Sequence, residues 1–267
     1  MTHPKKTVAK NEANIVHFIG AGPGDPELIT VKGQRLLKEA DIVIFTGSLV
    51  PKTLVTDLKA KIFDSAGMNL DEVFSIIHDF WLLGKKIVRL HTGDPSIYGA
   101  INEQFALLQQ HNIPYAVIPG VSSGTATAAA LKTELTLPEI SQTVIFTRRA
   151  GRTPVPRREN LALLASHQAT MIIFLSIGMI KEVVADLLGG GYPADTPVAI
   201  VEKASWPDEK QLRGTLATIT EQVKKASINK TAIIAVGKVL ADGPPPELSK
   251  LYDKNFSHGF RQGKKTI

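Results

Sequence analysis

The chain has 267 residues, 43% of them hydrophobic, and carries 31 Lys and Arg against 25 Asp and Glu, a net charge of +6. That apolar share at this length is enough for one large core or two modest ones, and it excludes a wholly disordered chain. Cysteine is absent, which excludes disulfides, thiolate metal sites, iron–sulfur ligation and a cysteine nucleophile.

Residues Met1–Asn14 are basic and lead into no apolar segment of signal-peptide type, so they read as a flexible tail. No apolar run reaches the roughly 18 residues of a membrane span, and a cytoplasmic protein that avoids membranes is expected. Short β-branched runs then alternate with helical patterns. Ile15–Gly20, Asp41–Thr46, Lys61–Asp64, Lys86–Leu90 and Tyr115–Pro119 have the composition of strands, and Thr30–Ala40, Asn69–Leu83 and Gly99–His111 have apolar residues at helical spacing. Asn69 is placed to cap its helix, with Asp71 and Glu72 in the first turn and Gly84 just past the end. This alternation predicts an α/β fold with a mostly parallel sheet.

The second half follows the same logic. Strands are expected at Thr143–Thr147, Met171–Ser176, Pro197–Ala204 and Thr231–Val236, and helices at Arg158–His167, Met179–Leu188 and Thr218–Ala226. The Ala-rich stretch Val121–Leu131 predicts a helix packed closely on a neighbour. The domain join is expected near Gly120–Pro138, giving domains of about 15–120 and 121–267, with a tail from Asp242 stiffened by Pro244, Pro245 and Pro246.

In open parallel sheets ligands bind beyond the carboxyl ends of the strands, and four loops fall there: Gly20–Pro26, Thr46–Leu49, His91–Gly99 and Pro119–Ser123. The first is not a dinucleotide turn. That motif needs glycines at positions one, three and six, whereas position six here is Asp25, and Pro23 has no amide proton to offer a phosphate. It reads equally well as a tight strand-to-helix turn. The third loop, with Gly93, Asp94, Pro95 and Gly99, presents backbone groups suited to a ligand with many small polar groups, such as an amino-acid head and a ribose. Asp94 can also cap a helix starting near Ser96.

Thr147–Arg158 holds five arginines and no acid. A solvated loop explains it. So does a ligand with several carboxylates, because the guanidinium fork binds carboxylate in two-pronged fashion. The histidines show no pair at metal-ligand spacing, and no metal is expected.

GAGPGDPELIT, TGSLV, RLHTGDPSIYGA, PGVSS, ELTLPEISQTVI, TRRAGRTPVP and ASWPDE together resemble the tetrapyrrole methylases of the cobalamin pathway, from about Ile15 to Arg261. The resemblance implies two α/β domains with S-adenosylmethionine in the cleft between them, S-adenosylhomocysteine as product, and a homodimer. Within the family it points to methyl transfer to C11 of precorrin-4 or cobalt-precorrin-4, a tetrapyrrole polycarboxylate. Cofactor contacts would fall on Pro23, Thr92, Gly93, Asp94, Ile97, Ser122, Ser123, Ser176, Ala204 and Ala232. Arg148, Arg149 and Arg152 would hold substrate carboxylates beside Thr46 and Ser48, with Lys32 and Lys52 as further cations, and Asp25 is the one side chain named as a base.

Two departures stand out. Family members acting on uroporphyrinogen carry an acid in the loop after the second strand, where this chain has Thr46. Relatives carry a bulkier residue within Gly124–Thr127, so a looser pocket is expected there. Competing readings are a methylase of RNA or of protein side chains, a tetrapyrrole carrier without catalysis, and a nicotinamide oxidoreductase, the last contradicted by the glycine spacing. RNA binding is disfavoured because only 6% of residues are aromatic, too few for a stacking surface.

Overall fold

The computed structural model describes residues 15–47, 49–243 and 249–263; the N-terminal tail, Ser48 and the Pro244–Pro246 turn lie outside the described residues. The described residues form two compact units. One runs to Ser123 and includes Ser205–Pro207; the other comprises Gly124–Ala204 and the residues from Asp208 onward.

In the first unit, strands β1 (Val16–Gly20), β2 (Ile42–Phe45), β3 (Lys61–Asp64), β4 (Ile87–His91) and β5 (Tyr115–Ile118) alternate with helices α1 (Val31–Lys38), α2 (Leu70–Leu82) and α3 (Asn102–Gln110). The sheet order is β3-β2-β4-β1-β5 and every pairing is parallel. Side chains alternate between its faces. Ile19, Val43, Val88 and Leu90 pack on Leu37 of α1, while Phe18, Ile44 and Ile87 pack on Val73 and Ile77 of α2 and Leu108 of α3. Helix α2 starts where expected: Asn69 accepts from the Glu72 amide and Glu72 accepts from the Asn69 amide, a reciprocal cap.

The second unit contains α4 (Ser123–Ala130), β6 (Val144–Arg148), α5 (Leu161–Ala165), β7 (Thr170–Phe174), α6 (Ile180–Gly189), β8 (Pro197–Glu202), β9 (Lys210–Thr215), α7 (Ile219–Lys225) and β10 (Ala232–Val236). Its sheet order is β6-β7-β10-β8-β9; only β6 and β7 run parallel, so this sheet departs from the parallel arrangement expected from strand–helix alternation. Strand β9 was not anticipated. It is a polar edge strand with no apolar alternation to announce it.

Met171, Ile173, Ile200 and Ile234 face a core with Leu161, Val183, Leu187, Ile219 and Val223 from α5, α6 and α7. The Ala-rich helix α4 covers the other face. A Cβ on Gly124 would meet Phe174, Ile172 and Phe146 side chains at 2.9–3.1 Å, so the missing side chain brings the helix against the sheet and leaves no looser pocket at that position.

Candidate functional site

At the carboxyl edge of the first sheet, three loops are fastened to one another through backbone. The Ala21 amide donates to the His91 carbonyl at 2.7 Å, and Gly22 and Gly93 exchange hydrogen bonds at 2.7 and 3.3 Å. A Cβ on Gly120 would lie 2.2 Å from the Gly93 carbonyl oxygen and 2.7 Å from the Gly20 Cα. The glycines of the first loop therefore serve mutual backbone approach and a tight turn.

Asp94 ties the fourth strand's loop to the fifth's. Its Oδ1 accepts from the Ser96 amide at 2.8 Å and from the Ser96 hydroxyl, and its Oδ2 accepts from the Gly120 amide at 3.0 Å. Burial alone would raise its pKa; the bonds from Ser96 and Gly120 outweigh that and hold the carboxyl below its ordinary range. Asp94 caps no helix at Ser96, because the chain turns there and α3 begins only at Asn102. Within this turn Tyr98 (φ 55°) and Ala100 (φ 47°) are left-handed.

Pro23, Gly93, Asp94, Ser122 and Ser123 are thus brought to one edge of the first unit, together with Thr92 and Ile97 of the same loop. A feature the sequence did not announce holds the first loop from outside: Trp206 Nε1 donates to the Pro23 carbonyl at 2.8 Å, and Ser205 Oγ accepts from the Asp25 amide at 2.9 Å. Asp25 itself caps the short turn Pro26–Leu28 by accepting from the Glu27 amide, while its Oδ2 bonds no described residue. Thr46 lies after β2, its hydroxyl 3.4 Å from that of Ser65. Lys32 sits on the exposed first turn of α1 and Lys52 on a short exposed turn after β2.

The second unit gathers its own predicted residues at one sheet edge. Phe174 pairs with Arg148 across β6–β7, β10 runs antiparallel to β7, and the β8–β10 register sets Glu202 opposite Ala232. Ser176, Ala204 and Ala232 therefore share an edge with Arg148 and Arg149. The fully buried Ser176 hydroxyl donates to the Phe174 carbonyl at 2.7 Å and accepts from the Arg149 amide at 2.9 Å. Three residues other than glycine are left-handed along this edge: Leu175, Lys203 and Thr231, with φ between 51° and 53°. Such conformations cost about 1–3 kcal/mol each and cluster at ligand clamps and active sites.

The arginines divide by what they hold. Arg148 donates to the carbonyls of Thr153 and Pro154 at 3.2 and 2.7 Å, closing its own loop, and Arg149 pairs with Asp186 of α6 at 2.6 Å. Arg152 is exposed and bonds no other described residue, which leaves its fork open to a ligand.

Residues 15–220 match the family described as Tetrapyrrole (Corrin/Porphyrin) Methylases. This chain belongs to that family. Among its relatives is the cobalt-precorrin-4 C(11)-methyltransferase of Methanocaldococcus jannaschii, 56% identical over 94% of this chain and 97% of that protein. Another is the precorrin-4 C(11)-methyltransferase of Pseudomonas aeruginosa, 45% identical over 93% and 99%. Among solved structures, this methylase superposes on a cobalamin biosynthetic cobalt precorrin-4 methyltransferase with a TM-score of 0.85 at 44% identity, covering 88% of this chain and all of that one. It also matches a Thermus thermophilus uroporphyrin-III C-methyl transferase complexed with S-adenyl homocysteine, with a TM-score of 0.72 at 27% identity over 85% and 93%.

The methylase's first-unit edge suits such a thioether ligand. A Cβ on Gly93 would stand 3.8 Å from the Ser123 amide nitrogen, and the φ of +61° at Gly93 is one that residues with side chains rarely adopt, so the loop keeps its backbone bare at this edge. Among the described residues no helix is long and apolar enough to cross a membrane, and no cluster of three or more His, Asp or Glu could hold a metal.

Proposed function

We propose that this methylase transfers a methyl group from S-adenosylmethionine to C11 of precorrin-4 or cobalt-precorrin-4 in cobalamin biosynthesis. The observation that carries this reading is the 56% identity, spread over 94% of the chain, to a protein named for that reaction. When bound, S-adenosylmethionine supplies an electrophilic methyl group on sulfonium, so no side chain has to act as nucleophile.

What the chain contributes is position. Pro23, Thr92, Gly93, Asp94, Ile97, Ser122 and Ser123 of the first unit, and Ser176, Ala204 and Ala232 of the second, would hold the cofactor through small side chains and backbone groups. The Asp94 bonds to Ser96 and Gly120 fix two of these loops in one geometry before any ligand arrives. Fixing two reactants in this way can supply roughly 7–11 kcal/mol of a barrier. Arg152 would take a substrate carboxylate directly, while Arg148 and Arg149 shape the loop that presents it. Thr46 and Ser48 would border the substrate, and Asp25 Oδ2 is available as a base. By the same reading the protein is a cytoplasmic homodimer that binds neither nucleic acid nor membrane.

The test is incubation with both substrate forms and cofactor labelled in its methyl carbon, followed by carbon NMR. A new methyl signal at C11 is expected; label at another carbon, or none on the tetrapyrrole, overturns the reading.

A further inference from the structure

Arg89 lies in the middle of β4 and is 7% exposed. A buried guanidinium is costly unless its charge and its five N–H donors are met. Here its Nε donates to Gln104 Oε1 and its Nη1 to the Ile44 carbonyl, both at 3.3 Å. Both acceptors are neutral, and Nη2 bonds no described residue. No carboxylate among the described residues pairs with it. Burial lowers its pKa only to about 10, so it is a cation at neutral pH.

The side chain lines a cavity of about 260 Å³ at the carboxyl ends of β2, β3 and β4. The cavity is also lined by Thr46, Ser65 and Asn69, the residue that caps α2. The remaining charged wall residue, Glu103, is exposed, so water screens its repulsion of an anion, whereas Arg89 acts from the buried side at low dielectric. A cavity of this size admits a short carboxylate arm and does not admit a macrocycle.

We propose that this cavity is a carboxylate subsite in which Arg89 receives one peripheral acid side chain of the tetrapyrrole, fixing how the macrocycle is turned relative to the cofactor loops. This rests on the proposed tetrapyrrole substrate. It assigns substrate recognition to a residue outside the arginine-rich loop, and it gives the uncompensated charge its missing counter-ion.

Uroporphyrin III, a stable tetrapyrrole octacarboxylate, serves as probe for the full-length protein, with binding followed by tryptophan quenching. S-adenosylhomocysteine affinity is measured in parallel by calorimetry. Arg89→Gln should weaken uroporphyrin binding about 10- to 100-fold, the loss expected for a charge-assisted contact, and leave the thioether affinity unchanged.

Gln104→Glu is the second variant, which guards against misfolding of the first. Its new carboxylate would neutralise Arg89 from within, so it should raise the melting temperature while also weakening uroporphyrin binding. A purely structural role for Arg89 predicts the rise in melting temperature with unaltered uroporphyrin affinity, and that result overturns the proposal. Equal losses of uroporphyrin and thioether binding overturn it as well, because they mark a general disturbance. Wild-type protein that takes up no uroporphyrin and methylates no tetrapyrrole overturns the substrate reading itself, a failure distinguishable from the loss of Arg89's role alone.

Discussion

The sheet edges that carry the candidate residues of each unit are built by opposite means. In the first unit, loops meet largely through bare backbone: Gly20 against Gly120, Gly22 bridged to Gly93, with the Asp94 carboxylate tying two of them and Trp206 and Ser205 holding the first. In the second unit, side chains do the fastening, with Arg148 closing its own loop, Arg149 paired to Asp186, and Ser176 bonded on both sides. The contrast separates charge abundance from charge availability. The region densest in arginine has two of them committed within the chain, while a solitary buried arginine in the other unit faces a cavity with donors to spare.

The comparison breaks most visibly at the glycine junction. In Gly120→Ala the new Cβ would lie 2.2 Å from the Gly93 oxygen, which no rotamer relieves, so the loops must separate. We expect a loss of about 3 kcal/mol in urea unfolding together with loss of S-adenosylhomocysteine binding. Retention of both would show that the backbone contact is not needed.

His91 gives the next largest effect. Burial, with the neighbouring Arg89 charge adding to it, lowers its imidazole pKa from 6.5 to about 3, and its Nε2 is buried without a partner among the described residues. The unfolded imidazole takes up a proton as pH falls below its ordinary value, and the folded one does not, so stability declines with acid from about pH 6.5 downward. Between pH 6.5 and 4.5 this one group should cost about 2–3 kcal/mol. His91→Phe, which keeps the ring stacked on Phe18, should flatten that slope relative to wild type. An unchanged slope in denaturant melts across this window would locate the acid sensitivity elsewhere.

The smallest effects sharpen the division among the arginines. Arg148→Ala should lower stability by about 1–2 kcal/mol through its lost bonds to the Thr153 and Pro154 carbonyls. Arg152→Ala should leave the melting temperature in place and raise the tetrapyrrole KM by up to about fivefold, as for an exposed ion pair. Thermal melts and steady-state kinetics on both variants decide it, and a reversed pattern would exchange their roles.

Much of the first unit is readable from composition. Strands buried on both faces of a parallel sheet are β-branched runs, and Asn69 with Glu72 and Gly84 marks both ends of α2. Strand β9 is not readable, since Lys210–Thr215 is a polar edge whose pairing with β8 depends on tertiary contact. The lack of a helical pattern between Glu202 and Thr218 was the available sign that strand–helix alternation had stopped. Within the site, the loops were legible because glycine, proline and aspartate announce tight turns. The partner of Arg149 was not, because Asp186 is 37 residues from it in the chain. Arg89 is not legible either, because a single cation inside an apolar strand carries no motif.

The tripeptide Ser205–Pro207 belongs by its contacts to the first unit although the chain reaches it only after most of the second has been made. A gene cut after Ser123 would therefore yield a fragment whose Pro23 carbonyl and Asp25 amide have lost Trp206 and Ser205. During synthesis on the ribosome, the opening loop can reach its final set of bonds only once about three-quarters of the polypeptide has emerged, which binds the maturation of the earliest translated segment to a late one.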